Sequence, residues 1–560
     1  MSQGILALIA VIPIAVIFIL IVGLRWPATK AMPIAFIITI ILVLFIWDTP
    51  INWVLASSVN GLFVTLKIIL IVFGALVLLF TLKEGGALGV INQGFSTISN
   101  DRRVQTIIIA WLFGGFIEGV AGFGVPAALI APLLLSLGFP ALAAVMIGLI
   151  ANTTPVSFGT VGIPTVIGIG SSLDTPEVLQ ILSDNGLTYS ELINQISIWT
   201  AFVHAIPGIL MPLLLVVVLT FFFGGKRSIR DGLAIWPYAI FGGLCFVVPY
   251  VLVAVFLGPE FPSIFGGLVG LLIIIPLTKK GFLQPKHIWD FPNKDLWEKN
   301  WTGSISMNNS FEKKHISLLK AWTPYILISL ILVLTRVNFL PFHNWITSVN
   351  LTLSNLFGTT VSTNFDPLNN PGIVPCLIIA LFSIPLFRMD KTQVSRAWKD
   401  AILRIKAPAI ALLFAIPMVQ IMMISSTNDK DFLSMPLAMA QYMADAFDRA
   451  WPLVGPLIGA LGAFMSGSNA VSNMLFSLFQ FSIADNLGIS HVITVALQNV
   501  GGSLGNMINI QKIIAACAVV GLIGSEGIII KRNIIPMTIA LFITGVVGLI
   551  LIYFISPGTF

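Results

Sequence analysis

Glu118 is a carboxylate set in a stretch that offers it almost no water. It lies within residues 113–159, FGGFIEGVAGFGVPAALIAPLLLSLGFPALAAVMIGLIANTTPVSFG. A carboxylate at membrane depth is costly, and it is retained where it carries an ion or meets a substrate. Because it can be ionised or protonated, Glu118 is expected to carry a coupled proton: protonated on loading, ionised after release. The structural alternative is an acid bonded to neighbouring N–H groups or paired with a base. Lys67, near the middle of a long apolar run, is the expected charge partner, unless it snorkels to the surface or contacts the substrate instead. His204 is a second proton candidate, beside its plainer role as a packed histidine.

The same stretch is cut twice by glycine, polar side chains and proline, at 118–124 and at 152–155. A fainter echo runs from 461 to 509, with breaks at 466–473 and 499–503. Backbone freed from a helix at membrane depth is tolerated only where protein or a wet cavity satisfies it, and in transporters such breaks hold the substrate. A half-helix that starts at mid-membrane presents free N–H groups and a partial positive charge, which makes an anion site without Arg or Lys. Pro155 suits a first helical position, with Thr154 or Asn152 as its cap. Gly124 and Pro126 play that part after the first tip, Ser472 or Asn473 after the second, and Gly502 and Ser503 for the last half-helix. The expected substrate-binding set is therefore Gly119, Gly122, Gly124, Asn152, Thr153, Thr154 and Ser157, with Ser466, Ser468, Asn469, Ser472, Asn473, Asn499, Gly502 and Ser503. Against this stands the bland alternative, in which glycines only let helices approach and hydroxyls bond back into their own helix. Four breaks in mirrored positions favour a site.

The frame around these residues follows from composition. Of 560 residues, 57% are hydrophobic and 9% charged, where soluble domains carry about 25% charged residues. The fold class expected is an all-α polytopic membrane protein. No nucleotide-binding or metal-ligand motif is visible, so an ATP-driven pump would need a partner subunit, and no cofactor is expected beyond a coupling proton. Cys245, Cys376 and Cys517 have no paired spacing and read as small core residues. Apolar runs long enough to span, or nearly so, lie at 4–24, 31–47, 54–82, 195–222, 233–257, 263–278, 321–336, 371–387, 407–425 and 533–556. With one crossing by each broken stretch this gives about 12 spans plus 2 hairpins. The formal net charge of +6 is carried mostly by loops. If spans alternate, Arg102, Arg103, Lys226, Arg227, Arg230, the loop 279–320, the segment 388–406, Lys531 and Arg532 share one side, which is then cytoplasmic. Both termini are expected outside.

This count makes the first broken stretch run inward to outward and the second the reverse. Residues 31–222 (core 104–172) and 371–560 (core 451–523) are therefore expected as two inverted-topology repeats. An extra span at 1–30 precedes them, and connecting spans at 223–370 include the loop 279–320. Each repeat is expected to hold a re-entrant hairpin and a discontinuous transmembrane helix. The hairpin arms fall at 104–117 and 124–137 with a tip at 118–123, and at 451–465 and 474–484 with a tip at 466–473. The discontinuous helices fall at 140–150 plus 155–172, and at 489–498 plus 504–523.

At these motifs the sequence resembles the L-lactate permease family. The stretches that carry the likeness are EGVAGFG (118–124) followed by Pro126, NTTPVSFG (152–159) followed by GIP (162–164), GSNAVSNMLF (467–476) and QNVGGSLGNMI (498–508). The resemblance covers nearly the whole chain. It implies a plasma-membrane symporter for L-lactate, with D-lactate and glycolate, coupled to protons. It also implies scaffold and transport domains that move in an elevator fashion, in a two-fold assembly, here a homodimer. Some members carry an acid at the position of Asn469 and a lysine at that of Asn506; both are neutral here, which leaves the helix termini and Glu118 with more to do. Lactate suits such a site, with N–H groups for the carboxylate and Asn or Thr for the hydroxyl. One lactate moving with one proton carries no net charge, so voltage would not drive it. The expected partners are lactate, glycolate and the lipid bilayer. The rival readings are a sodium-coupled carrier of another small carboxylate, a membrane-embedded enzyme, for which no catalytic constellation is visible, and a channel.

Overall fold

Proline sets where many of the helices begin. Pro27, Pro50 and Pro140 stand immediately before helices, and Pro176 and Pro262 occupy the first positions of theirs, where the missing N–H would be unpaired in any case. The computed structural model describes residues 3–24, 26–122, 125–304, 316–336, 342, 345–346, 348–365, 367–368, 373–522, 524–556 and 558–559, with the side chains of all of these except 22, 92, 96, 125, 332 and 333. Among the described residues ten helices are long and apolar enough to cross a membrane. The chain is an all-α multi-pass membrane protein, relieved among the described residues only by two three-residue antiparallel strands, Leu351–Leu353 and Thr363–Phe365, with Thr352 opposite Asn364. That small sheet was not expected from the sequence.

In chain order, α1 is Gln3–Phe18, α2 Ala28–Leu42, α3 Ile51–Glu84, α4 Ala87–Ser96, α5 Arg102–Ala121, α6 Val125–Ser136, α7 Ala141–Ala151, α8 Thr154–Leu173, α9 Pro176–Asp184 and α10 Tyr189–Phe223. Three connecting helices follow: α11 Trp236–Phe256, α12 Pro262–Lys279 and α13 Leu318–Arg336. Then come α14 Val374–Leu386, α15 Lys391–Ser426, α16 Met435–Phe447, α17 Trp451–Ser466, α18 Asn469–Leu487, α19 His491–Leu504, α20 Ile510–Ala518 and α21 Glu526–Ile555. The succession α2, α3, α4, α5, α6, α7, α8, α10 recurs in kind as α14 to α21. The long helices α3 and α15 cross each other where Gly61 meets Pro417; a Cβ on Gly61 would lie 2.5 Å from the Pro417 Cα. Beside this contact Thr65 Oγ1 donates to Leu412 O at 3.2 Å and Asn60 Nδ2 to Gln420 Oε1 at 3.3 Å.

The broken stretches form the centre of the molecule. Every described residue of 139–165, 469–484 and 489–509 is buried, whereas Phe45, Phe256, Phe542 and Phe554 on peripheral helices are exposed, as lipid-facing residues should be. The break at 152–155 falls where the sequence places it; the others are narrower or displaced. Helix α5 runs to Ala121, so Glu118 and Gly119 lie in its last turns and not in a tip. Helix α18 starts at Asn469, so Asn469, Ser472 and Asn473 are helical and the turn is confined to Gly467 and Ser468. Helix α19 continues through Asn499, Gly502 and Ser503 to Leu504. Gly501 and Gly502 look like helix breakers but act as contact points: a Cβ on Gly501 would collide with Pro456 O, and one on Gly502 with Asn469 Oδ1.

The sharpest distortion lies inside α8. Thr160, Val161 and Gly162 take φ of +47°, +54° and +78°, a region that β-branched residues enter only under constraint. Such strain persists where its surroundings over-determine it, often at functional sites. A Cβ on Gly162 would lie 2.5 Å from Pro259 O. Gly162→Ala is therefore expected to destabilise the protein by about 1–3 kcal/mol, read as a lowered melting temperature in detergent; a curve superposing on the parent's would contradict a strained turn here.

The basic loop after α12 is largely structural where it is described. Trp301 is buried against Phe223, and Phe291 packs on Phe139. The loop is pinned at His287 and Trp289: Asp101, which caps α5 and pairs with Arg103 at 2.6 Å, accepts from Trp289 N at 3.0 Å, while Arg103 donates to His287 O at 2.9 Å.

Candidate functional site

Pro155 cannot donate a backbone hydrogen bond, so α7 cannot simply continue into α8. It ends with Asn152 N donating to Gly148 O at 3.2 Å, and a tight helical turn, Thr154–Phe158, replaces it. That turn faces α19 from the other half of the chain. Ser157 Oγ donates to Asn499 O at 3.2 Å and lies 2.9 Å from His204 Nε2. Ser503 Oγ is 3.4 Å from the same imidazole nitrogen.

Asn499 is the hub. Its Oδ1 accepts from Asn469 Nδ2 at 2.9 Å and Asn473 Nδ2 at 2.8 Å, and its Nδ2 donates to Thr165 Oγ1 at 2.9 Å and Thr200 Oγ1 at 3.4 Å. Asn473 Nδ2 also reaches Pro164 O at 3.0 Å, across the distorted helix. Residues from α8, α10, α18 and α19 are thereby locked into one buried network. Around it several polar atoms have no protein partner: both amide atoms of Asn152, Thr154 Oγ1, His204 Nδ1, Asn469 Oδ1 and Asn473 Oδ1. Buried polar groups are normally paired, and orphans mark an unfilled partner such as water or ligand.

Glu118 is 2% exposed and lies against this network. A Cβ on Gly159 would sit 2.6 Å from Glu118 Oε1, so the glycine is what lets the carboxyl approach the break. Asn152 lies beside the carboxyl without meeting hydrogen-bond geometry, and Glu118 Oε2 makes no hydrogen bond. The cation whose charge acts on Glu118 is Lys512 of α20. Lys67 is elsewhere: its Nζ donates to Asn364 Oδ1 at 2.7 Å. Lys512, Thr165 and Thr200 were not among the expected site residues. For Lys512 the signal was present, since it too is an ionisable residue in an apolar run.

The remaining expected residues divide. Thr153 Oγ1 bonds back to Ile150 O at 2.9 Å. Ser466 Oγ is occupied by Gly462 O and Ser468 O, and Ser472 Oγ by Gly459 O at 2.8 Å and Gln498 Nε2 at 3.1 Å. Gly119 packs against Ser263 and Ile264 at the start of α12, and Gly122, at φ +53°, against Thr160. Gly124 lies outside the described residues. Four converging helix N-termini are therefore not what surrounds the centre; α19 arrives there in mid-helix, and side-chain amides take the place of backbone N–H groups.

Two cavities lie beside the helices that carry the network. One, of about 290 Å³, is lined by Arg404, Ser466, Gly467, Ser468, Gln511 and Lys512 among others, on the basic side of the molecule. The other, of about 630 Å³, is lined by Asn60, Lys67, Val161, Asp174, Glu260 and Gln420, on the acidic side. Burial pushes the Asp174 carboxyl up from the ordinary carboxylate range.

A family model described as L-lactate permease matches residues 6–555. A putative L-lactate permease of Haemophilus influenzae is 31% identical over 92% of this chain and 91% of its own length. An L-lactate permease of Salmonella typhimurium is 27% identical over 98% of this chain and 96% of its own. A glycolate permease, GlcA, of Escherichia coli is 25% identical over 98% and 96%.

Proposed function

The chain belongs to the L-lactate permease family, membrane transporters and not enzymes, and from that premise we propose that it imports L-lactate across the plasma membrane together with protons, with D-lactate and glycolate as further substrates. The observation that carries this reading is the meeting of the break between α7 and α8 with α18 and α19 of the other half of the chain, around buried amides several of whose atoms lack partners. A hydroxy-monocarboxylate supplies what they lack: carboxylate oxygens for Asn152 Nδ2 and the Thr154 hydroxyl, and a hydroxyl for an amide oxygen. The mechanism proposed is alternating access between the acidic-side and basic-side cavities. The basic side is cytoplasmic and both termini are outside. The recurring helix order supports residues 31–222 and 371–560 as inverted repeats, each with a re-entrant hairpin. We take α5–α8 and α17–α20 as the moving body, carried elevator-fashion against α3 and α15 in a homodimer.

Counterflow of labelled lactate in proteoliposomes tests this directly: wild-type protein should exchange lactate and glycolate, and absence of exchange would overturn it. Asn152→Ala is expected to weaken apparent lactate affinity by about tenfold, the loss of one charge-assisted hydrogen bond; unchanged affinity would remove Asn152 from the site. A sodium-coupled carrier of another small carboxylate is the second reading, favoured by the unpartnered amide oxygens of Asn469, Asn473 and Asn506, which are hard donors suited to a small cation. Counterflow repeated with and without a sodium gradient separates the two.

A further inference from the structure

Lys512 is 6% exposed, yet among the described residues its ammonium makes no hydrogen bond and no direct ion pair. A buried cation needs a counter-charge. Two candidates meet at this side chain. On one side lies Glu118, whose charge and that of Lys512 act on each other through space. On the other lies the basic-side cavity of about 290 Å³, which Lys512 lines together with Arg404 and the turn Ser466–Ser468. The cavity walls come from the α2 end, α15, the α17–α18 turn and α20, and among the described residues the charged groups on them are Arg404 and Lys512. Around Glu118, α7, α8 and α20 contribute Asn152, Gly159 and Lys512, and the start of α12, packed on the same helix turn, contributes Ser263 and Ile264; among these described residues Lys512 alone is charged.

We infer that Lys512 is a shared counter-ion: its ammonium holds the carboxylate of a small monocarboxylate in the basic-side cavity, a station separate from the Asn152 and Thr154 site, while Glu118 is protonated, and turns to the Glu118 carboxylate when the cavity is empty. The inference rests on the proton-coupled monocarboxylate reading above. When Glu118 takes up a proton, Lys512 loses its only internal anion, and an incoming carboxylate replaces it. When the substrate departs, the Glu118 carboxyl releases its proton, which passes to solvent, and pairs with Lys512, which stays protonated throughout. Each ligand thereby raises the affinity for the other, and one lysine enforces one proton per carboxylate. Arg404, at the mouth, draws anions toward the cavity.

The test is equilibrium binding of labelled lactate to the purified full-length protein, below and above neutral pH. Wild type should bind more tightly at the acidic pH. Glu118→Gln should bind at that tighter affinity at both pH values, because Lys512 is then always available. Lys512→Gln should bind at least about tenfold more weakly and lose the pH dependence, the loss of a charged hydrogen-bond partner, and Lys512→Arg should recover most of the affinity. Wild-type affinity and pH dependence in Lys512→Gln would overturn the inference. Should that variant fail to fold, Glu118→Gln decides alone: a wild-type pH dependence of binding in it overturns the inference as well. A wild type that neither binds nor exchanges lactate would instead overturn the transport reading, and this inference with it.

Discussion

Asn499→Ala is expected to abolish lactate counterflow and to lower stability by about 3 kcal/mol or more. The magnitude follows from what the substitution leaves behind. The amide joins Asn469, Asn473, Thr165 and Thr200, and Asn499 and all four of these partners are buried. Removing one member of a buried hydrogen-bond pair leaves the other unsatisfied at about 1–3 kcal/mol. Asn473 keeps Pro164 O, and Asn469 keeps the Asn499 carbonyl at 3.3 Å, so the penalties do not simply add. The functional loss should exceed the loss of stability, because Asn499 is the point at which the break after α7 is tied to α18 and α19. The checks are a melting curve in detergent and counterflow on the same preparation. A variant that melts like the parent and still exchanges lactate would show that the network is incidental to the site.

Glu118→Gln should keep exchange but lose uphill transport. Counterflow needs only that the loaded carrier can reorient, and a glutamine imitates the protonated acid in shape and in neutrality. Net accumulation needs the empty carrier to return with its carboxylate ionised, which glutamine cannot be. A symporter moving one proton per lactate can accumulate substrate about tenfold per pH unit of gradient, so across a gradient of two units roughly a hundredfold accumulation should fall to equilibration. Lactate-induced alkalinisation outside liposomes reads this directly, and normal alkalinisation with Glu118→Gln would remove the residue from the proton path. The neighbourhood makes the outcome specific: Glu118 Oε2 has no hydrogen bond to hold it in one state, and Gly159 keeps the break against it.

The span-and-break pattern was legible because membrane burial writes it in composition. Asn152 to Pro155 marks the end of α7 through a proline that cannot donate, and Glu118 announces itself as an acid where none is affordable in isolation. Other features left weaker traces. The left-handed turn at Thr160 and Val161 runs against the preferences of both residues; it is imposed by packing on Gly122 and Pro259, which lie far off in sequence. Gly501 and Gly502 carry the composition of a break but serve close helix contact with Pro456 and Asn469, and sequence alone does not separate those two uses of glycine. Lys67 looked like the partner of Glu118 because both occupy long apolar runs. Only the fold shows that Lys67 bonds Asn364 while Lys512 faces the acid.

Helix α14 has 13 residues, so at 1.5 Å per residue it is about 20 Å long, against a hydrocarbon layer about 30 Å thick. Its Ile378, Leu381 and Phe382 are exposed and face acyl chains. A bilayer that meets this edge would thin there, or let headgroups sink to meet the helix ends. Lipid tail length thus acts on the molecule as a mechanical load at one place on its perimeter, close to where α14 leads into the long helix α15.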